Sequence, residues 1–297
     1  MKITIIGCGK MGGAISKALS KDDRYTLSIY DSNPNAVMPE NAKRLESIEE
    51  SKDSDMTLIA IKPQFITDSF LESIKGNRGN AYISIAAGIP LELLSKAFPG
   101  ARISRFMPNI GAEVRKSVTA VAFNEEAGKD SKWQESVMEI ASSFGSAFKL
   151  AESSFSAFIG ISGSFIAYAL EFIHESAMAG VEAGIPYATS TEIVSDTILS
   201  AIGLLKATGR KPSDMIPDVC SAAGTTIEGM RALAENNFAG AIYQAVSRTA
   251  EKSIELEERQ RQRSSKETGT TVRTKAGEDP AFTLSIHHDL QDLCPQV

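Results

Sequence analysis

Gly7, Gly9 and Gly12 stand in the spacing G-x-G-x-x-G. Ile3, Ile5 and Ile6 come just before them, a β-branched run that suits a buried strand. Ala14, Ile15, Ala18 and Leu19 follow at helical spacing. Each glycine answers a physical need. Gly7 permits the tight turn from strand to helix, Gly9 has no Cβ and lets an anionic group approach the backbone, and Gly12 lets the helix pack close to the strand. The free N–H groups at the helix start then face the anion. The chemistry this pattern serves is binding of a dinucleotide pyrophosphate, in the strand–turn–helix context that it requires. The plain alternative is a glycine-rich turn that binds nothing.

Residues 25–30 (YTLSIY) read as the next strand, and Asp31 ends it. A carboxylate there can accept hydrogen bonds from the adenosine ribose, which would favour NAD. Ser32 and Asn33 could instead donate to a 2′-phosphate and favour NADP. Asp-Ser-Asn-Pro is also good turn chemistry, so Asp31 can equally be a turn starter.

These residues need a frame, and the chain supplies one. Residues 56–61, 81–86, 102–106, 118–123 and 147–150 read as further strands. Between them lie helical stretches at 48–52 (with Ser47 as a cap), 64–74, 91–98 and 131–144. Pro63 ends one strand, and Pro90 stands at the first position of a helix. Alternation of strand and helix gives an α/β fold, a Rossmann-type doubly wound sheet, with its ligand at the carboxyl ends of the strands. Gly7, Asp31, Lys62, Ala87 and Asn109 all fall there.

The grammar changes near Glu152, after which only helices are expected: 153–184 as one long helix, then 189–208, 215–220, 225–235 and 239–258. The domains are thus 1–151, binding dinucleotide, and 152–258, an all-α dimerisation and substrate domain. Residues 259–297 lack periodicity and read as a disordered tail. Residues 281–286 (AFTLSI) could be a docking strand or an unremarkable apolar run. Long apolar helices with small-residue faces bury best against a second copy.

Composition bounds the class. The chain has 297 residues, 42% of them hydrophobic, and a net charge of −6. No basic stripe points to nucleic acid. The three cysteines, Cys8, Cys220 and Cys294, are scattered, which argues against a zinc site or a disulfide framework and fits a reducing, cytoplasmic compartment. No export signal is legible. The apolar stretch 155–170 is interrupted by Ser and Gly and reads as a buried helix rather than a membrane span.

By Arg105 the motifs are specific enough to indicate a family. GCGKMGGAI at 7–15, AIKPQ at 60–64, SIAAGI at 84–89, RFMPN at 105–109, SGS at 162–164 with AY at 167–168, and GTTIEGMRAL at 224–233 resemble pyrroline-5-carboxylate reductase. The resemblance covers about residues 1–256. It implies reduction of 1-pyrroline-5-carboxylate to L-proline, the last step of proline biosynthesis, with NADP as cofactor and NAD as the alternative. It also implies a cofactor cradle of Ile6, Gly7, Cys8, Gly9, Lys10, Met11 and Gly12. Ser32 and Ser47 would lie near the adenosine ribose or its phosphate. Ala60, Ile61, Lys62, Pro63, Ile85, Ala86 and Ala87 would line the nicotinamide side, and Asn109 would close it. Ser221, Ala222, Ala223, Gly224, Thr225 and Thr226 would hold the substrate. Backbone N–H groups there would bind its carboxylate, and the Thr226 hydroxyl would act as the catalytic contact to the ring nitrogen. Glu152 matches a substrate-side position in some relatives, although a Glu at a domain junction can also be a cap. The family forms homodimers with interleaved helical domains, often assembled into decamers.

The residues support such a reaction independently. Hydride transfer to a cyclic imine needs positioning and anion binding rather than a nucleophile or a metal. His174, mid-helix and without a partner in sequence, reads as structural. Phe165 and Ile166 replace the family's glycine and proline, Ala222 and Ala223 replace proline and glycine, Gly111 replaces a proline, and Ser156 replaces an aspartate. The first two pairs touch the substrate end. They leave open a related imine or keto reductase with another substrate, or a cofactor-binding protein without turnover.

Overall fold

Alternate burial builds the sheet. In β1 (Lys2–Ile6), Ile3 and Ile5 face one side, while Thr4 and Ile6 face the other, and all four are buried. The same period of two runs through β2 (Thr26–Tyr30), β4 (Met56–Ile59), β5 (Ala81–Ser84) and β6 (Arg102–Met107). With β3 (Lys43–Arg44), β7 (Ser117–Phe123) and β8 (Gly145–Lys149), these strands form one sheet in the order β3-β2-β1-β4-β5-β6-β7-β8. Every pairing is parallel except β6 with β7, which is antiparallel. The strand order reverses between β1 and β4, the crevice where such sheets bind ligands. The structure is a computed structural model that describes residues 1–267; Met1–Glu258 forms one unit and Arg259–Val297 a second.

Helices cover both faces. On one, α1 (Lys10–Leu19) and α5 (Ser131–Ser142) lay Ile15, Leu19, Trp133, Val137 and Ile140 against Ile5, Leu58 and Phe106. On the other, α2 (Asp68–Ile74) and α3 (Leu91–Ala97) bring Leu71, Ile74 and Leu94 onto Ile6, Ile59 and Ile103. Tyr82 stacks on Phe98 at 3.9 Å between ring centroids, and its hydroxyl accepts the Gly76 N–H at 2.9 Å. Each fully buried side chain of this size contributes about 1.5–3 kcal/mol over exposure. The short α4 (Glu125–Gly128) is capped by Asn124.

Several elements differ from the sequence reading. Residues 64–74 are not one helix: a 3-10 turn, Pro63–Phe65, precedes α2, whose N-cap is Thr67. Pro90 is the N-cap of α3 rather than its first residue. The stretch 153–184 is not continuous either. A 3-10 turn, Glu152–Ser154, leads into α6 (Phe155–Ile161), and α7 (Phe165–Glu182) follows after a break at Ser162. The break has a partner set: Ser162 Oγ donates to Val118 O at 3.2 Å and accepts from Asn109 Nδ2 at 3.1 Å. Phe155 and Phe158 of α6 pack in the sheet's second-face core.

The remaining helices are α8 (Tyr187–Thr208), α9 (Pro212–Val219), α10 (Thr225–Glu235) and α11 (Phe238–Glu267). α11 continues past 258, into the stretch read as a disordered tail. Cys294 and the AFTLSI run lie outside the described residues. Across α7 to α10 burial almost vanishes: only Ala177 and Ser190 are buried, while Leu170, Leu199 and Val219 are more than 60% exposed. The segment Glu152–Glu182 has the length and apolarity of a membrane span, yet it is the two helices broken at Ser162.

Candidate active site

The glycine turn is built for close approach. Gly7 has φ +97°, and a Cβ there would lie 2.6 Å from Ala60 O. A Cβ on Gly12 would lie 2.1 Å from Gly7 O and 3.0 Å from Ala60 Cβ. Ala60, just past β4, is thus the floor on which the turn rests, and its N–H donates to Ile6 O at 2.7 Å. Gly9 is the opposite case: a Cβ there would meet nothing within 4 Å. It is the N-cap of α1, and no side chain caps that helix end. The first-turn N–H groups of α1 thus face open space, which fits a pyrophosphate.

Asp31 is the fastener of this loop. Its Oδ2 accepts the Cys8 N–H at 2.6 Å and its Oδ1 accepts the Asn33 N–H at 2.8 Å. The turn-starter reading is what these contacts show, and a ribose contact would have to use the lone pairs they leave. Burial pushes the Cys8 thiol up from its ordinary value, so the group beside the glycine turn stays neutral. Its Sγ donates to Val37 O at 3.2 Å. Ser32 and Asn33 are exposed next to Asp31. Arg44, which the sequence reading did not single out, ties the same loop from β3 through Nη2 to Ala36 O at 2.7 Å. Ser47 follows β3 and starts the 3-10 turn Ile48–Asp53, where Glu50 accepts the Ser47 N–H at 3.1 Å.

The next two loops complete the rim. Lys62 and Pro63 follow β4, and Ile61 touches the Gly7 position. Ile85, Ala86 and Ala87 follow β5, with Ala86 buried and Ala87 exposed. Asn109 lies just past β6, as the N-cap of the 3-10 turn Ile110–Val114, and is 6% exposed. Its Oδ1 accepts from Gly111 N at 3.1 Å and Val118 N at 3.3 Å, and its Nδ2 holds Ser162. The amide is thus spent on shaping the rim. A proline at 111 could not give the first of these bonds, and a Cβ there would lie 2.7 Å from Lys116 O, which accounts for Gly111.

Glu152, substrate-side by the resemblance or else a cap, makes the contacts of a cap. Its Oε1 accepts the Leu91 N–H at the start of α3 and the Arg105 Nη1, each at 2.8 Å. It is an anchor at the domain junction. Ser156, where the family has an acid, donates to Ser253 Oγ on α11 at 3.2 Å. Phe165 stacks edge-on against Tyr168 at 5.9 Å, and Tyr168 bonds Ala245 O at 3.3 Å and Thr249 on α11. His174 Nδ1 pairs with the Tyr187 hydroxyl at 2.9 Å, a structural partnership between α7 and α8.

Residues 221–226 stand at the N-terminus of α10. Gly224 is its N-cap, and Gly224 N donates to Ser221 O at 3.0 Å, closing a four-residue turn. Ala223 has φ +53° in that turn. Thr225 and Thr226 are the first two helical residues, and the Thr226 hydroxyl bonds no described residue. No hydrogen bond or ion pair among the described residues joins 221–235 to the nucleotide-binding rim.

Comparison with known proteins agrees with this geometry. Residues 152–256 match the family model for pyrroline-5-carboxylate reductase dimerisation, and residues 2–88 match that for NADP oxidoreductase, coenzyme F420-dependent. The chain is 32% identical to the pyrroline-5-carboxylate reductase of Escherichia coli K12, over 86% of this chain and 98% of that protein. It is 30% identical to that of Aquifex aeolicus, over 86% and 97%. Among solved structures, the Streptococcus pyogenes enzyme superposes with a TM-score of 0.74 at 33% identity, covering 85% of this chain and 98% of that one. The Plasmodium falciparum enzyme, solved with NADP bound, superposes at 0.76 with 25% identity, covering 86% and 98%. With residues 152–256 matched to the dimerisation model and relatives 32% identical over 86% of the chain, the chain belongs to the pyrroline-5-carboxylate reductase family.

Proposed function

We propose that this protein reduces 1-pyrroline-5-carboxylate to L-proline with NADPH, or with NADH as the alternative donor. The observation that carries the reading is the open space at Gly9 above an uncapped α1, on a chain whose two halves both match the family. NAD(P)H supplies the hydride when bound. The chain's own residues do the rest. The N–H groups of the α1 first turn hold the pyrophosphate. Asp31, Ser32, Asn33 and Ser47 surround the adenosine ribose, and the exposed Ser32 and Asn33 favour the 2′-phosphate of NADP. Lys62, Pro63, Ile85, Ala86 and Ala87 wall the nicotinamide.

The substrate carboxylate sits on the N–H groups at the start of α10, and the Thr226 hydroxyl bonds the imine nitrogen as it gains its proton. A single chain leaves that loop unconnected to its own rim and α7 to α10 nearly bare. The active unit is therefore a homodimer or a larger homo-oligomer such as a decamer, in which the loop of one copy completes the cleft of another. Covering these helices with a second copy, rather than with lipid, agrees with a cytoplasmic enzyme. NADPH oxidation with pyrroline-5-carboxylate tests the reading against a panel of other cyclic imines. Turnover of another imine and not of this one would overturn it.

A further inference from the structure

The largest fully buried side chain in the described structure is charged. Arg105, on β6, is 0% exposed. Its Nη1 donates to Glu152 Oε1 at 2.8 Å and its Nη2 to Glu257 Oε1 on α11 at 2.9 Å. Its guanidinium lies over the Phe155 ring at 5.1 Å, and its Nε, also buried, has no hydrogen-bond partner. Glu152 Oε1 at the same time accepts the Leu91 N–H that opens α3. One guanidinium therefore joins four places: the end of β6, the start of α3, the entry to the helical half and its last helix.

Stability alone does not explain this arrangement. An ion cluster in a core stabilises no better than well-packed apolar side chains of the same volume, and an orphaned Nε adds a cost. What a forked, charge-matched group adds is orientation. Two of the joined places bound the cleft. Leu91 N–H lies just beyond the loop of Ile85, Ala86 and Ala87, and Arg105 shares its strand with the approach to Asn109. α11 is fastened to α6 and α7 at Ser253, Thr249 and Ala245.

We propose that Arg105 is a positioning residue: through Glu152 and Glu257 it sets the loop after β5 and the helical half in register, and so governs hydride transfer rather than cofactor binding. The proposal rests on the reading above, that Ile85, Ala86 and Ala87 wall the nicotinamide. Misplacement of reacting groups by an ångström can cost about a hundredfold in rate.

The test uses the full chain as Arg105→Met, Arg105→Lys and Glu257→Ala, with NADPH affinity, kcat, KM and backbone hydrogen exchange measured on each. For Arg105→Met the expected result is a fall in kcat of about tenfold or more, at an NADPH Kd within about threefold of wild type. Faster exchange confined to residues 85–98 and 245–258 should accompany it. Arg105→Lys, which keeps the charge but not the fork, should recover part of the kcat. Should Arg105→Met not fold, Glu257→Ala decides, since Glu257 is 20% exposed and its removal leaves the strand intact. A kcat lowered about threefold or more, at unchanged NADPH affinity, supports the proposal. A kcat within about twofold of wild type, with unchanged exchange over both segments, overturns it.

Ala87→Leu separates this from the reading it rests on. If Ala87→Leu weakens NADPH binding or turnover while the Arg105 and Glu257 variants do not, the positioning role fails and the wall stands. If Ala87→Leu changes neither, the wall is misplaced, and localised exchange in the Arg105 variants decides whether Arg105 sets these segments.

Discussion

At the scale of residues, the three glycines of one motif have separable duties, and substitution should separate them. A Cβ at Gly9 meets nothing, so Gly9→Val should fold with a near wild-type melting temperature and lose NADPH binding by calorimetry, because the branched side chain fills the pyrophosphate's space. Unchanged affinity would sink the cradle. A Cβ at Gly12 would strike the Gly7 carbonyl, so Gly12→Ala should lower the melting temperature as well as NADPH affinity. Thr226 offers a cleaner chemical test. Its hydroxyl bonds no described residue, so removing it breaks no hydrogen bond within the chain. Thr226→Ala should therefore leave stability and cofactor affinity near wild type. It should lower kcat/KM for pyrroline-5-carboxylate about tenfold to hundredfold, the worth of a hydrogen bond of about 1.5–3 kcal/mol to a charged or developing partner. A loss within twofold in steady-state kinetics would remove the residue from the reaction.

At the scale of elements, the turn of residues 221–224 is the informative departure. The bond from Gly224 N to Ser221 O, with positive φ only at the third residue, is the pattern of a type II turn, which favours proline second and glycine third. The family's proline and glycine fit those two places. This chain has Ala222 and Ala223 and keeps the turn, with Ala223 in a conformation that costs an L-residue about 1–2 kcal/mol. Ala223→Gly should relieve that strain, raising stability by about 0.5–1 kcal/mol in urea and lowering KM severalfold. A higher KM would mean that the alanine methyl itself contacts substrate. Breakers bound some helices, as Pro186 and Gly209 bound α8, whereas a side chain with partners marks another boundary. Ser162, held by Val118 and Asn109, is what divides a stretch whose apolar residues alone suggest one helix.

At the scale of the molecule, the two halves are stabilised differently. The sheet buries its strands on both faces, whereas α7 to α10 bury two residues between them, Ala177 and Ser190. Apolar surface left open on this scale marks an interface. Light scattering at micromolar concentration should give a homodimer or larger, and Leu199→Glu, at a position 63% exposed here, should shift it toward monomer with loss of turnover. A wild-type monomer with full activity would contradict both the interface and the shared cleft.

The sequence by itself determined what local chemistry determines. Glycine spacing, strand alternation and the order of elements specified the Rossmann half, because each depends on neighbours along the chain. The motifs carried the family as far as 256. Glu152 and Asp31 are where sequence ran out: a carboxylate's type says that it will bind donors, and only the fold says which. Tertiary structure gave Asp31 to the Cys8 N–H and Glu152 to Arg105 and Leu91. It also joined Arg105 to Glu257, a pairing that no local pattern encodes because packing alone brings β6 beside α11.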